Sequence, residues 1–290
     1  MSAPLARTLF NHPFQNPLIL AAGTAGYGTE LAGVMNLDRL GGIVVKAVSR
    51  EPRAGNAPPR VGEFGGGMLN SVGLANPGLA EVRRTHLPTL LDAVRKCRVL
   101  VNVVGFTVPE YAEVVAGLDQ LEGITAYELN LSCPNTHAGG MEFGAEASSV
   151  QAVVAGCRAV TRRALVVKLS PALPDIAAMA VAARDAGADA ISVLNTLPGF
   201  LYDRGATPRL GNGNGGISGP LLLPAGLLAV RRVVERTGLP VIGTGGVRSA
   251  EDASAYLEAG ASLVGIGTAA LADPRLPERI IRDLERAWPR

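Results

Sequence analysis

Short apolar runs recur along the chain, and each is followed by a longer stretch with helical periodicity. Such nearly continuous apolar runs are typical of parallel strands that are covered on both faces. The eight predicted strands are Pro17–Gly23, Gly41–Val48, Arg98–Gly105, Ala126–Cys133, Leu165–Ser170, Ala190–Asn195, Leu239–Gly246 and Leu263–Ala269. Eight strand–helix alternations predict a single closed (β/α)8 TIM barrel over residues 1–290. An open doubly wound sheet is the alternative, but no GxGxxG follows the first strand.

The helices between the strands carry terminal signals. One has apolar positions at Ile176, Ala180 and Ala183, one runs from Pro220 toward Arg236, and one follows a capping Ser249. We also expect a short β-hairpin at the N-terminus. Two stretches rich in Gly, Pro and Asn interrupt the alternation, from Arg50 to Gly78 and from Leu197 to Gly219. They are predicted as extended loops on the C-terminal face, where barrel active sites lie.

Composition excludes several classes of protein. The net charge is +2 without a basic run, so we expect no nucleic-acid or anionic membrane partner. No apolar run approaches the roughly 20 residues that span a bilayer. The cysteines Cys97, Cys133 and Cys157 form neither a CxxC pair nor a metal-ligand spacing with histidine. An odd, sparse set indicates a reducing compartment, and we predict a cytoplasmic protein.

Polar residues stand at the C-terminal ends of the predicted strands, where a barrel interior is otherwise apolar. Buried amide and ammonium groups are costly unless they are paired, so their convergence on one rim indicates a polar ligand. The polar residues at these strand ends are Lys46, Asn102, Asn130, Ser132, Cys133, Lys168, Asn195 and Thr196.

The lysines are rare and unevenly placed. Of 27 Lys and Arg residues only Lys46, Lys96 and Lys168 are lysine, and two of these three fall at strand ends. Lysine differs from arginine in shape, hydration and the ease with which its pKa shifts. We interpret Lys46 and Lys168 as functional ammonium groups, with chance and snorkelling as the alternative, which we accept for Lys96.

Glycines follow the last two strands, in Gly243–Val247 and Gly265–Ala269. Backbone N–H groups can approach a phosphate there, and a following helix N-terminus favours the anion. The pattern predicts a phosphorylated ligand without naming it, and plain glycine turns are the alternative.

Cys133 is the candidate for proton chemistry. It lies in NLSCPN, where Pro134 ends the strand. A thiol is a usable base only where its surroundings favour the thiolate. Cys97 and Cys157, each beside a basic residue in a predicted helical stretch, are interpreted as small buried hydrophobes.

Four motifs together resemble the dihydroorotate dehydrogenases over essentially the whole chain. They are NLSCPN at Asn130, GMLNSVGLANPG at Gly67–Gly78, VKLSP at Val167 and SGP at Ser218. A cysteine within NLSCPN is similar to class 1, since class 2 members use serine. The continuation NTHAGGMEFG is more similar to the NAD-linked class 1B than to the fumarate-linked class 1A.

The resemblance implies one FMN per chain, bound across the barrel mouth. The implied FMN contacts are Ala22, Lys46, Ala47, Asn102, Asn130, Lys168, Leu194, Gly219, Gly245, Gly246, Gly267 and Thr268, with Lys168 stabilising the negative charge of the reduced flavin. The implied substrate contacts are Lys46, Asn70, Ser71, Val72, Gly73, Leu74, Asn130, Asn195 and Thr196. Their amides suit a pyrimidine ring with alternating N–H and C=O groups, and Lys46 suits its carboxylate.

The same resemblance implies a reaction and its partners. Cys133 as thiolate would remove the C5 proton of dihydroorotate while the C6 hydride passes to flavin N5, giving orotate. Class 1B enzymes work with a second subunit that carries FAD and a [2Fe–2S] cluster, and this sequence has neither cluster ligands nor a dinucleotide fingerprint. We therefore expect a homodimer that passes electrons to NAD through such a subunit.

Other functions stay open at this point. Fumarate could be the acceptor, as in class 1A. A dihydrouridine synthase-like flavoenzyme acting on tRNA shares these features, but it predicts a basic face or an RNA-binding domain, and the sequence shows neither. A non-redox phosphate barrel would purify colourless, and a non-catalytic flavin protein would leave both lysines and Cys133 unexplained.

Overall fold

A computed structural model describes residues 5–131 and 143–287. Its strands are β1 (Arg7–Leu9), β2 (His12–Phe14), β3 (Leu18–Leu20), β4 (Gly42–Val48), β5 (Val61–Phe64), β6 (Gly67–Asn70), β7 (Arg98–Val103), β8 (Ile124–Asn130), β9 (Ala164–Lys168), β10 (Ala190–Val193), β11 (Leu197–Phe200), β12 (Asn214–Ser218), β13 (Val241–Thr244) and β14 (Leu263–Ile266). Its helices are α1 (Gly78–Glu81), α2 (Leu87–Ala93), α3 (Val108–Leu118), α4 (Ala147–Arg158), α5 (Ile176–Asp185), α6 (Leu223–Thr237), α7 (Ala250–Glu258), α8 (Thr268–Ala272) and α9 (Leu276–Ala287).

Eight parallel strands close into a barrel in the order β3, β4, β7, β8, β9, β10, β13, β14 and back to β3. This confirms the predicted (β/α)8 TIM barrel, and the strands coincide with the eight predicted runs to within a few residues. The predicted N-terminal hairpin is β1 paired with β2. Phe14 at its end is fully buried and packs with the apolar side chains inside the barrel.

Alternation along the strands divides the barrel interior into an apolar and a polar layer. Val44, Leu100, Ala126 and Val166 belong to the inner apolar cluster. Two residues further along each strand, on the same face, come Lys46, Asn102, Glu128 and Lys168. The sequence therefore places the polar layer at the C-terminal end of the barrel.

Side-chain caps start helices α5 and α7, and the cap of α7 was predicted. Ser249 accepts the N–H of Asp252 at the start of α7, and Asp175 accepts the N–H of Ala178 at the start of α5. A 3-10 turn at Pro220–Leu222 leads into α6, which ends at Gly238 with φ 67°. These helices pack on the outside of the barrel and form the larger apolar core with it.

The crossover after β3 departs from the predicted alternation. It contains two 3-10 turns, Thr29–Leu31 and Leu37–Arg39, instead of an α-helix. Gly26 and Gly28 adopt positive φ there, a conformation that interrupts a right-handed helix. The C-terminal helix α9 packs against β3, and its Glu278 accepts the N–H of Asn36 at 2.7 Å. The final helix thus covers the side of the barrel that this crossover leaves open.

The two long stretches predicted as loops contain strands that pair with one another. They form a four-stranded antiparallel sheet in the order β11, β12, β6, β5, in which Gly216 pairs with Asn70 and Ser218 with Met68. A Cβ added to Gly67 would lie 2.1 Å from the Ser218 carbonyl oxygen, so this pairing requires glycine. We call these four strands the cover sheet.

Candidate active site

A cavity of about 620 Å³ opens between the C-terminal ends of the barrel strands and the cover sheet. Its volume lies within the range of roughly 300–1,000 Å³ that is usual for small-molecule sites. The predicted residues that line it are Ala22, Lys46, Ala47, Asn70, Val72, Gly73, Leu74, Asn102, Asn130, Lys168, Leu194, Asn195, Thr196, Gly219, Gly245, Gly246, Gly267 and Thr268. The structure thus brings into one cavity residues from ten separate segments of the sequence.

Three predicted residues do not belong to this set. Ser71 is 1% exposed and does not line the cavity, and its Oγ accepts a hydrogen bond from Asn56 Nδ2 at 2.7 Å. Cys133 lies outside the described residues, and so do Ser132 and most of the NTHAGGMEFG motif. The arrangement of the thiol relative to the lysines stays a prediction.

Lys46 and Lys168 line the same cavity from different strands. Lys46 lies in β4 next to an irregularity in its pairing with β7, and its N–H donates to the Gly26 carbonyl at 2.8 Å. Lys168 is the last residue of β9, is 8% exposed, and pairs in register with Asn130 of β8. By contrast, Lys96 is exposed in the segment before β7.

The cavity lining is electropositive. Among its described residues the charged ones are Lys46, Lys168 and Arg248, and neither Asp nor Glu occurs. Inside a cleft with low-dielectric walls, the attraction between these cations and an anionic ligand is screened less than it is in water. The cavity is therefore suited to a ligand with more than one negative group.

A buried polar cluster stands directly behind the lining. Glu128 of β8 is 2% exposed, and its Oε1 accepts a hydrogen bond from Asn102 Nδ2 at 2.7 Å. The same oxygen lies 3.8 Å from Lys168 Nζ. Asn102 Oδ1 is buried and has no hydrogen-bond partner among the described residues. A donor group on a bound ligand would satisfy this acceptor.

Glycines after β13 and β14 line another part of the cavity, in contact with the cover sheet. Gly245 and Gly246 have φ 122° and 81°, and Tyr256 donates its hydroxyl to the Gly245 carbonyl at 2.8 Å. Gly267 precedes α8, and Thr268 Oγ1 donates to Ser218 Oγ at 2.7 Å. Backbone N–H groups of such turns suit an anion, and the phosphate site predicted for them stays a prediction.

The stretch after β6 is held by Asn76, which was not predicted as a site residue. Asn76 donates to Ser49 Oγ and to the Leu74 carbonyl, both at 2.8 Å, and accepts the N–H of Gly78 at 2.9 Å. Leu74 has a positive φ of 57°, which is rare for a leucine. Asn76 therefore fixes the turn that places Val72, Gly73 and Leu74 against the cavity.

Glu128 and Arg248 also belong to the site or stand next to it, and neither was predicted. Glu128 could have been predicted, because a carboxylate within an apolar strand is unusual. Alternation also places it on the same face of the strand as Asn130. Arg248 had no such signal, since it is one of many arginines and follows a predicted glycine turn.

The two described cysteines are buried and lie outside the cavity lining. Burial raises the pKa of both thiols, of Cys97 and of Cys157, to about 12. They therefore fit their interpretation as small hydrophobes. Cys97 was predicted to lie in a helical stretch, and that prediction is wrong. It lies just before β7, in a turn whose N–H groups donate to Asp38.

The fold and cavity define an α/β-barrel protein with an electropositive ligand site at the C-terminal face. The chain belongs to the dihydroorotate dehydrogenase family: the family model of that description matches residues 4–287. Members of this family are in general FMN-dependent oxidoreductases. Membership favours this class over the tRNA-acting flavoenzymes and over a colourless phosphate barrel.

Individual relatives are similar over nearly the whole chain. A dihydroorotate dehydrogenase B (NAD(+)) catalytic subunit of Desulforudis audaxviator is 45% identical over 94% of this chain and 88% of its own length. The protein of the same name from Geobacillus kaustophilus is 42% identical over 93% and 86%. A Solibacter usitatus protein, provisionally named dihydroorotate dehydrogenase A (fumarate), is 44% identical over 98% and 93%. Within the described residues, no helix is long and apolar enough to cross a bilayer.

Proposed function

We propose that this chain, over residues 1–290, is an FMN-binding catalytic subunit that oxidises dihydroorotate to orotate. The observation that carries the proposal is that Lys46, Lys168 and the amides of Asn70, Asn130 and Asn195 surround one cavity, in a chain of this family. FMN, when bound, supplies a hydride acceptor.

The described residues fit FMN in three respects. The lining carries three cations and no described carboxylate, which suits a phosphate. The glycines at Gly245, Gly246 and Gly267 leave backbone N–H groups without covering side chains. The buried Asn102 Oδ1 requires a donor, and the imide N–H of a flavin is one.

We assign the substrate to the side of the cavity that the cover sheet and the loop after it close. Lys46 would bind the carboxylate, and Asn70, Asn130 and Asn195 would bind the alternating N–H and C=O groups of the ring. Val72, Gly73, Leu74 and Thr196 complete this wall. Ser71 would act by orienting its neighbours, because its side chain bonds to Asn56.

Lys168 and Cys133 have separate roles in this proposal: Lys168 stabilises negative charge, and Cys133 removes a proton. Lys168, buried at the end of β9, would stabilise negative charge that develops on the bound ligand during hydride transfer. Cys133 Sγ, as thiolate, would remove the proton from C5 of the substrate.

We further propose a homodimer that hands electrons to NAD through a separate subunit with FAD and a [2Fe–2S] cluster. The names of the B-type relatives support NAD as the acceptor and a separate subunit, and the A-type relative supports fumarate as the alternative acceptor. The cytoplasmic location stays a prediction from cysteine usage.

The decisive experiment is an anaerobic visible spectrum of the purified protein before and after addition of dihydroorotate. We expect a yellow protein whose absorbance near the flavin maximum is bleached as orotate forms. A colourless protein, or a flavin that dihydroorotate does not bleach, would overturn the proposal. The acceptor is tested by offering NAD or fumarate to the reduced protein alone. Rapid NAD reduction without another subunit would refute the partner, and rapid fumarate reduction would assign the A-type reaction.

A further inference from the structure

We infer that Glu128 is a positioning residue that orients the Asn102 amide and sets the charge behind Lys168, so that it tunes the reduction potential of the bound flavin. Glu128 does not line the cavity, and it stands behind two residues that do. The inference rests on the proposed FMN site, and it assigns a function to a buried carboxylate that the proposed reaction does not use.

Strand register places the three side chains together. In the barrel β8 lies between β7 and β9, and Asn102 of β7 pairs in register with Glu128. Lys168 of β9 pairs in register with Asn130, two residues beyond Glu128 on the same face. The register therefore places Asn102 directly beside Glu128, and it places Lys168 diagonally across from Glu128 on the same face.

The first consequence concerns the orientation of Asn102. An ionised carboxylate only accepts hydrogen bonds, so Glu128 Oε1 requires the Nδ2 group of Asn102 and leaves Oδ1 as the unsatisfied atom. Without the Glu128 carboxylate, neither orientation of the Asn102 amide would be preferred, and either Nδ2 or Oδ1 could face the ligand. Glu128 thereby makes Asn102 an acceptor toward the ligand, and it selects a ligand that presents an N–H group there.

The second consequence concerns charge. The distance of 3.8 Å between Glu128 Oε1 and Lys168 Nζ exceeds that of a good hydrogen bond, so Glu128 leaves the ammonium protons available to a ligand. At this distance the negative charge still offsets much of the positive charge that Lys168 presents. Since reduction of the flavin adds negative charge near Lys168, Glu128 opposes reduction and holds the potential lower than Lys168 alone would set it.

The expected size of the effect follows from Coulomb's law. A ligand atom bound to Lys168 would lie roughly 7–10 Å from the Glu128 carboxylate, and at an effective dielectric constant of about 20 a unit charge there changes an equilibrium on the order of tenfold. For a two-electron couple a tenfold change corresponds to about 30 mV. Removal of the charge should therefore raise the potential by about this amount.

The test uses the flavin-loaded protein and a chemical reductant with a dye of known potential, without dihydroorotate. Glu128→Gln removes the charge at nearly constant shape, and we expect a midpoint potential about 30 mV more positive than that of the unaltered protein. Glu258→Gln is the matched control, because Glu258 is exposed at the end of α7, at the opposite end of the barrel. Its potential should not change. An unchanged or lower potential in Glu128→Gln overturns the inference.

Glu128→Asp separates position from charge and serves also if the Gln variant does not fold. It keeps the charge but withdraws the carboxylate from Asn102, so we expect FMN to dissociate several-fold more readily while the potential changes less than in Glu128→Gln. An FMN dissociation constant equal to that of the unaltered protein would exclude the positioning role. A purely structural role would lower the melting temperature of both variants without moving the potential.

The inference and the proposed function fail in different ways. If dihydroorotate does not bleach the flavin of the unaltered protein but Glu128→Gln shifts its potential, the function is wrong and the role of Glu128 stands. If dihydroorotate bleaches the flavin and the potential is unmoved by Glu128→Gln, the function stands and the role of Glu128 is wrong.

Discussion

Replacement of Lys168 by methionine should destabilise the flavin-free protein, and simultaneous replacement of Glu128 by glutamine should restore much of the loss. Lys168 and Glu128 are 8% and 2% exposed, and their charged atoms lie 3.8 Å apart. In Lys168→Met the carboxylate keeps its hydrogen bond from Asn102 but loses its countercharge. A buried charge without its partner is costly, whereas a neutral pair of similar shape is tolerated.

The magnitude follows from burial. Removal of one partner of a fully buried ion pair costs about 3–5 kcal/mol. Lys168 borders a cavity of about 620 Å³, so solvent can approach the carboxylate once the ammonium is gone. We therefore expect the lower end, about 3 kcal/mol, for Lys168→Met, and about 1 kcal/mol for the Lys168→Met/Glu128→Gln double variant.

The assay is urea unfolding of flavin-free protein, followed by circular dichroism, for both single variants, the double variant and the unaltered chain. Lys96→Met is the control, since this exposed lysine should change the free energy of unfolding by less than about 0.5 kcal/mol. A double variant that loses the full sum of the two single losses would refute the reasoning, because additive losses mean that the two charges do not compensate each other.

Three further predictions concern the thiols and the glycine turn. Cys133→Ser should slow reduction of the flavin by dihydroorotate in stopped-flow measurements and move the pH optimum upward, because a hydroxyl is a weaker acid than a thiol; an unchanged rate and profile would mean that another group is the base. Gly246→Ala should lower the free energy of unfolding in urea by about 1–3 kcal/mol and lower the FMN content, because φ is 81° and the added Cβ would lie 2.8 Å from Leu223. In the control Gly33→Ala the added Cβ meets no atom within 4 Å, so its stability should not change, and equal losses in both variants would contradict the proposed constraint. Because burial raises the pKa of Cys97 and Cys157 to about 12, their thiolates are scarce below that pH in the folded protein, and neither should react with iodoacetamide at pH 8 before denaturation; mass spectrometry that finds either one alkylated in the native protein would contradict their burial.

The barrel could be predicted from sequence because its signal is local. Each strand is covered on both faces, so each is a short apolar run, and the run alone marks it. The barrel also predicts its own functional end, since polar residues such as Lys46 and Lys168 at the ends of parallel strands must meet at one rim. This explains why all but one of the predicted site residues that the structure describes line a single cavity.

The cover sheet could not be predicted in this way. Its strands β6 and β12 come from stretches of the chain more than 140 residues apart, and both are rich in glycine. Glycine permits the close pairing at Gly67 and Gly215 but has a low strand propensity, so the residues that make the sheet possible conceal it in the sequence. The missing helix after β3 has a similar origin, in the positive φ of Gly26 and Gly28.

Glu128 represents an intermediate case, in which the information was present but required two steps. Alternation along β8 places it on the inner face with Ala126 and Asn130, which a single strand already shows. Its partners become evident only when the neighbouring strands are aligned in parallel register, with Asn102 on one side and Lys168 on the other. An acidic residue in that position cannot be solvated by bulk water, so it must be compensated by those two neighbours. Once the barrel order is known, a carboxylate in the same layer as the strand-end lysines therefore predicts a buried polar cluster before any side chain is placed.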